Sequence, residues 1–221
     1  MLTEKTQNNH NILKGYNMLL YFAGSMIMYE PTEECVVDFW KNGILKQLPV
    51  KSMNPRFMKA ASQLRESCDD KALCAGILRN DYNRLFPSDG LHLANLRESE
   101  YKDIRTLETV NQGDNVSVFY DSYGWASKFR GKKGDDYLGI EILFLTRLID
   151  NYLALEDDAC KAEMRKEIKR FIDEHILSWI PQWNELVQKN AITMCYKGIG
   201  TLIYACAEDI RNVMSQPYKQ L

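Results

Sequence analysis

Residues 138–145, LGIEILFL, constrain the fold more than any other stretch of the chain. If they form a helix, its side chains are apolar on almost every side, and one acid, Glu141, interrupts them. A helix that is hydrophobic all round is buried inside a protein rather than lying on its surface. The sequence therefore predicts a central helix with other elements packed around it.

The flanking sequence favours helices as those other elements. Asn54 followed by Pro55 is typical of a helix start, and Leu78, Tyr82 and Leu85 follow the three–four spacing of one buried face. Pro31 and Thr32 open a further predicted helix that ends near Gly43. Additional helices are predicted over 114–124, 136–156, 157–179 and 182–214. The stretch NVSVFY (115–120) alternates like a strand but has no partner strand.

Helices packed on helices around one core are the predicted architecture. We expect an all-α bundle, a single domain over residues 1–221 that is divisible into two sub-bundles. The long irregular segments 87–112 and 125–135 are the candidate hinges, because loops of that length are uncommon without a role.

Charge and cysteine usage exclude several classes of protein. Lys plus Arg total 28 against 30 for Asp plus Glu, so the basic face of a nucleic-acid-binding protein is not expected. The six cysteines form no C-x-x-C pair, and no histidine stands at ligand spacing from a cysteine, which argues against zinc. Residues 17–30 are apolar, but they lack a small-x-small cleavage site and are too few to span a bilayer. We expect a core helix there, a cytoplasmic chain and no stable membrane insertion.

Catalytic motifs are also missing from the sequence. It has no nucleophile elbow, no P-loop and no Gly-x-Gly-x-x-Gly element, and the two glycines of YKGIGTLI (196–203) predict close helix packing instead. We therefore expect no enzyme activity, no catalytic residue, no metal and no cofactor. Two alternatives remain open: a helical enzyme acting on diphosphates through carboxylates and a divalent metal, and a helical ligand-binding regulator. The first needs two facing acid-rich helices, and the second needs a basic recognition helix.

Several segments, taken in order, resemble the TorD/DmsD/NarJ family of chaperones that mature complex redox enzymes. They are DYNRLFPSDG (81–90), ESEY (98–101), VFYDSYG (118–124), DDYLGIEILFL (135–145), FIDEHILSWIPQW (171–183) and MCYKGIGTLI (194–203). The resemblance implies an all-helical fold and a cytoplasmic chaperone that assists cofactor loading and assembly before export. Its partner would be a molybdenum-cofactor oxidoreductase subunit, bound through a twin-arginine leader. It also implies a monomer or a helix-exchanged dimer.

The chain departs from that family at one loop. Lys133, Gly134, Asp135, Asp136 and Tyr137 stand where the family commonly has Glu-Pro-x-Asp-His. The proline-rich stretch usual after the Leu-Phe motif is also absent here.

Five residues are predicted to contact the client and its leader peptide: Tyr82, Leu85, Phe86, Asp136 and Tyr137. The first three share one helix face, on which Leu85 also suits the core. Aromatic walls and one acid complement a peptide that carries two arginines beside an apolar segment. For Asp135 and Asp136 the competing interpretations are N-capping of the following helix and, less favoured, metal binding. Tyr137 suits either a groove or a packed helix start.

Three further residues are predicted to support the site structurally: Glu141, His175 and Trp179. A buried charge without a partner is costly, so Glu141 is expected to pair with helix N-termini or an arginine. His175 and Trp179, four residues apart, are expected to make an interhelical contact.

Overall fold

The computed structural model describes residues 2–35, 44–70, 73–87, 91–102, 116–129 and 133–216, and it is all-helical over these ranges. It contains four short helical turns: Glu33–Cys35, the 3-10 turns Ile44–Lys46 and Glu98–Glu100, and the π turn Ile172–Ile176. The main helices are α1 Leu2–Met28, α2 Pro55–Asp69, α3 Ala75–Leu85, α4 Val116–Ser122, α5 Leu138–Ala154, α6 Asp158–Phe171, α7 Ile180–Asn190 and α8 Met194–Ser215. Most of the helix predicted to end near Gly43 lies outside the described residues.

The apolar run at 138–145 is confirmed as the start of a buried helix, α5, which packs antiparallel to α1. The Asn17 amide donates to the carbonyl of Thr146 at 3.3 Å and to the Asp150 carboxylate at 2.6 Å. Further along, Gly24 lies against Ile142. The predicted core helix at 17–30 is confirmed in the same way, because α1 contains it and buries its apolar face.

The last helix, α8, is the second centre of the bundle and contacts α1, α2, α6 and α7. Its crossing with α2 is close: a Cβ on Gly198 would lie 2.8 Å from Leu64 Cγ and 3.2 Å from Leu64 N. The prediction that the glycines of YKGIGTLI serve helix packing is confirmed at this crossing.

Helix starts follow the capping residues that the sequence offers. The Asn54 side chain accepts the Arg56 N–H at 2.9 Å, with Pro55 opening α2. The Asp157 carboxylate accepts the Cys160 N–H at 2.7 Å at the start of α6. Such local bonds satisfy N–H groups that have no partner within the helix.

The predicted helix over 182–214 is wrong in its continuity, because the chain breaks between α7 and α8. The backbone N–H groups of Ile192 and Thr193 donate to the carboxylate of Asp81 instead of to the preceding helix. Thr193 then caps α8 by accepting the Tyr196 N–H at 3.3 Å.

None of the helices in the described ranges is both long enough and apolar enough to cross a membrane.

Candidate functional site

Tyr82 and Tyr137, predicted from separate parts of the chain, lie together at the C-terminal end of α1. The Tyr82 hydroxyl donates to the carbonyl of Ile27 at 3.5 Å, and the Tyr137 hydroxyl donates to the same oxygen at 3.3 Å. The last carbonyls of a helix have no intrahelical partner, so the α1 end offers this acceptor to side chains. Burial raises the pKa of both phenols; the neighbouring Tyr82 adds to the effect at Tyr137, where Arg97 opposes it. Both phenols therefore remain neutral donors.

Leu85 and Phe86 are packed at the C-terminal end of α3, directly after the turn that carries Tyr82. Leu85 is fully buried and Phe86 is 6% exposed. The Phe86 ring meets Tyr82 edge-on at 5.6 Å and Tyr196 of α8 at 5.9 Å. Phe86 therefore forms the floor under Tyr82, and neither Leu85 nor Phe86 presents much surface of its own in this structure.

Asp136 lies beside the same cluster, but it does not cap α5. The N-cap residue is Tyr137, which makes no side-chain capping bond. Asp136 accepts instead from Ser99, at 2.5 Å from the hydroxyl and 3.3 Å from the N–H. The capping interpretation is wrong for Asp136 because the residue precedes the N-cap and its carboxylate turns toward another segment. Arg97 Nη1 lies 3.5 Å from its other oxygen.

Main-chain bonds fix the same junction. The Glu98 N–H donates to the Asp136 carbonyl at 2.9 Å, and the Leu138 N–H donates to the Leu96 carbonyl at 2.7 Å. Arg97 and Tyr137 form an antiparallel bridge between them. The Tyr120 hydroxyl donates to the carbonyl of Asp135 at 3.0 Å. Segment 96–99 is thereby held against the start of α5.

Glu141 points into the core one turn further along α5. The side chain is fully buried, and neither carboxyl oxygen has a hydrogen-bond partner among the described residues. The expected pairing with an arginine or a helix N-terminus is therefore wrong. Burial raises the pKa of Glu141 well above 4.5, and Glu98 and Asp136 add to the effect. A carboxyl that keeps its proton avoids burying an unpaired charge.

His175 and Trp179 are buried beside Glu141 and tie the π turn to segment 98–102. His175 Nδ1 lies 3.2 Å from a Glu98 oxygen, and Lys102 Nζ lies 2.5 Å from the other. The Trp179 indole N–H donates to the His175 carbonyl at 2.7 Å, and its ring stacks on Tyr101. These contacts hold the segment that carries Ser99 and Arg97.

The residues that sequence reasoning missed are Arg97, Ser99 and Lys133. Arg97 and Ser99 contact Asp136 through a pairing between distant segments, which no helical periodicity reveals. Lys133 lies on the Tyr137 ring within the loop itself. The landmark ESEY (98–101) was the available clue, because it contains Ser99 and follows Arg97 directly. In the part of the chain that the structure describes, no group of three or more His, Cys, Asp or Glu side chains is placed to hold a metal ion.

The model of the nitrate reductase delta subunit family matches residues 51–185, more than half of the chain. The chain belongs to this family. It is the NarJ/TorD family whose motifs the sequence resembles, and the chain is accordingly a maturation chaperone for molybdenum-containing redox enzymes. Chaperones of the family bind a reductase subunit and are not enzymes. No individual curated protein matches the chain.

The matched range contains every predicted contact and support residue of the chain, from Tyr82 to Trp179. It does not include α1, whose Ile27 carbonyl joins the two tyrosines, or the α8 residue Tyr196, which packs under Phe86. The candidate site is therefore a family core completed by the first and last helices of the bundle.

Proposed function

We propose that this chaperone binds the twin-arginine leader of a molybdenum-cofactor oxidoreductase subunit in the cytoplasm and holds the client while its cofactor is loaded and its subunits assemble. The leader would lie on Tyr82, Asp136 and Tyr137, which we name the leader surface. The observation that carries the proposal is their meeting at the end of α1, where both tyrosine hydroxyls share the Ile27 carbonyl.

The chemistry of the leader surface suits two arginines beside an apolar segment. Tyrosine rings bind apolar side chains and also stack on guanidinium planes. The Asp136 carboxylate is 22% exposed, and its contact with Arg97 is long at 3.5 Å. A client guanidinium can approach that oxygen more closely and form a charge-assisted hydrogen bond. Leu85 and Phe86 contribute as the packed floor that sets the position of Tyr82.

Calorimetric titration with the leader peptide of an oxidoreductase encoded beside this gene tests the proposal. Asp136→Asn is expected to weaken binding up to about fivefold at low salt, because a partly exposed ion pair contributes about 0.2–1 kcal/mol. The effect should shrink as salt rises. Glu163→Gln, which removes an equal charge from an exposed residue paired with Lys166, is the matched control and should bind normally.

The aromatic part is tested with Tyr137. Tyr137→Ala should weaken binding by about tenfold or more if the client covers the ring, because an apolar side chain of this size contributes about 1.5–3 kcal/mol when buried. Tyr137→Phe keeps the ring and should retain most of the affinity. Circular dichroism verifies that each variant is folded. Unchanged affinity for folded Asp136→Asn and Tyr137→Ala proteins would show that the leader binds elsewhere, and no binding by the wild type would reject leader recognition altogether.

A further inference from the structure

Two cations, Arg97 and Lys133, lie side by side at one edge of the leader surface. Lys133 Nζ lies 4.3 Å from the centre of the Tyr137 ring, on its face. Arg97 pairs with Tyr137 through the backbone bridge and leaves about half of its side chain exposed. Burial lowers the pKa of the Lys133 ammonium, and the neighbouring Arg97 charge lowers it further. Both cations therefore flank Tyr137, Lys133 on its ring and Arg97 on its backbone.

The described residues do not neutralise this pair. Asp136 is the carboxylate that approaches Arg97, at 3.5 Å, and its short bond goes to Ser99 at 2.5 Å. Lys133 makes no ion pair within the described part of the chain, and its ammonium group packs on the Tyr137 ring. The carboxylate near the pair therefore approaches Arg97 alone, at a long distance, and is already bonded to Ser99. Adjacent like charges cost free energy unless an anion joins them.

The fold holds the pair in place through Gly134. A Cβ at this position would lie 2.6 Å from Arg97 Nη1, so a side chain at residue 134 would displace the guanidinium. On one side of the glycine, the Lys133 N–H donates to the Phe129 carbonyl at 3.1 Å; on the other, the Tyr137 N–H donates to the Gly134 carbonyl at 3.1 Å. The missing side chain at Gly134 thus leaves room for the Arg97 guanidinium directly beside the residue that follows Lys133.

We infer that the client segment bound at the leader surface carries an acidic side chain, which binds between Arg97 and Lys133; this rests on the proposed function. The chaperone then selects a leader of mixed charge, whose arginine faces Asp136 and whose acid faces the cation pair. A carboxylate accepts charge-assisted hydrogen bonds from both groups, and partial desolvation against the Tyr137 ring strengthens them. An extended peptide advances about 3.3 Å per residue, so the acid lies within a few residues of the arginine.

Fluorescence anisotropy with synthetic peptides tests this selection. Each labelled peptide carries Arg-Arg beside an apolar segment, with Glu, Gln or Lys placed in turn at the neighbouring positions. At one position, the wild-type protein should bind the Glu peptide up to about fivefold more tightly than the Gln peptide, the upper end of the range for a partly exposed pair of charges. The Lys peptide should bind most weakly.

Variants of the protein assign the preference to the pair. The double variant Arg97→Gln, Lys133→Gln should bind the Glu and Gln peptides equally, and Lys133→Glu should favour the Lys peptide. Lys166→Gln is the matched control, since this exposed lysine pairs with Glu163 on α6, and it should keep the wild-type preference. Circular dichroism checks folding, because Lys133 packs on Tyr137.

The outcomes separate this inference from the proposed function. If no Arg-Arg peptide binds the wild-type protein, the proposed function fails. If these peptides bind but Glu, Gln and Lys are indistinguishable at every position, the acidic contact alone is overturned. Binding of inorganic phosphate is measured as a further test. If phosphate binding requires Arg97 and Lys133 while Glu peptides show no preference, the pair is a site for free anions, and the inference is also overturned.

Discussion

The carboxylate of Asp81 accepts the backbone N–H of Thr193 at 2.7 Å, joining α3 to the junction between α7 and α8. The same buried carboxylate accepts the Thr193 hydroxyl at 2.7 Å and the Ile192 N–H at 3.0 Å. Because Tyr196, one turn into α8, packs beneath Phe86 and Tyr82, this junction supports the leader surface from behind.

Asp81→Ala should therefore lower the free energy of unfolding by at least about 3 kcal/mol, since it leaves several buried donors without an acceptor at about 1–3 kcal/mol each. Asp81→Asn keeps one acceptor oxygen and should lose less. Urea denaturation followed by circular dichroism measures both. An Asp81→Ala protein as stable as the wild type would show that the junction does not depend on these bonds.

Gly198 provides a second stability test, at the crossing of α8 and α2. A methyl group there meets Leu64 Cγ at 2.8 Å, so Gly198→Ala should destabilise the protein by about 1–3 kcal/mol through overpacking. Gly76→Ala is the control, because its nearest contact would be Cys74 Sγ at 3.8 Å. Alanine there should stabilise α3 by up to about 1 kcal/mol. Thermal melting temperatures shifting in the same direction for both variants would contradict this account.

The parts of the fold that could be predicted depend on local patterns. Asn54 and Pro55 mark a helix start by bonds within one turn, and the burial of α5 follows from side chains that are apolar on every side. Tyr82 and Tyr137 could be paired only through family resemblance, because their meeting point, the Ile27 carbonyl, belongs to a third segment.

The parts that could not be predicted depend on partners distant in sequence. Asp136 precedes a helix and has the right chemistry to cap it, yet Ser99 supplies a better-placed hydroxyl and N–H. The break at 191–193 likewise depends on Asp81, a polar residue among Leu78, Tyr82 and Leu85 on the buried face of α3. An acid on the buried face of a helix was the clue in the sequence. Only the structure shows which N–H groups its carboxylate accepts.

Arg165 holds the end of α8, which yields a third prediction. Its Nη2 donates to the carbonyls of Val213, Met214 and Gln216 at 2.7, 3.0 and 2.5 Å, and the residue is 8% exposed. A cation at a helix C-terminus also interacts favourably with the dipole. Arg165→Met keeps the apolar stem but loses these bonds, and should cost about 1.5–3 kcal/mol. Arg165→Lys should recover part of that loss.

Hydrogen exchange locates the effect of the Arg165 substitution. Amide hydrogens in the last turn of α8 should exchange faster in Arg165→Met. Amides near the start of α8, at Thr193, should change their exchange rate only as far as the global free energy of unfolding changes. Unchanged exchange across the last turn would show that Arg165 does not secure it.

Glu141 makes the stability of the bundle depend on pH. Burial raises its pKa well above 4.5, Glu98 and Asp136 raise it further, and Lys102 and the Trp179 indole oppose them. Between the ordinary and the raised pKa, the folded protein keeps a proton that the unfolded chain releases. The Glu141 contribution to stability is therefore full below about pH 4.5 and is lost as pH rises through the folded-state pKa, by at most about 1.4 kcal/mol per pH unit.

Glu141→Gln removes this proton while keeping the shape of the side chain. Wild type and variant should differ least well below pH 4.5, where the wild-type carboxyl is neutral in both the folded and the unfolded state, and the variant should gain relative stability as pH rises toward about 8. Urea unfolding across that range measures the difference, and the comparison removes the pH effects that both proteins share. Glu163→Gln, an exposed acid, should run parallel to the wild type. If Glu141→Gln also runs parallel, Glu141 titrates alike in the folded and unfolded chains, and its burial without a partner is not linked to protons.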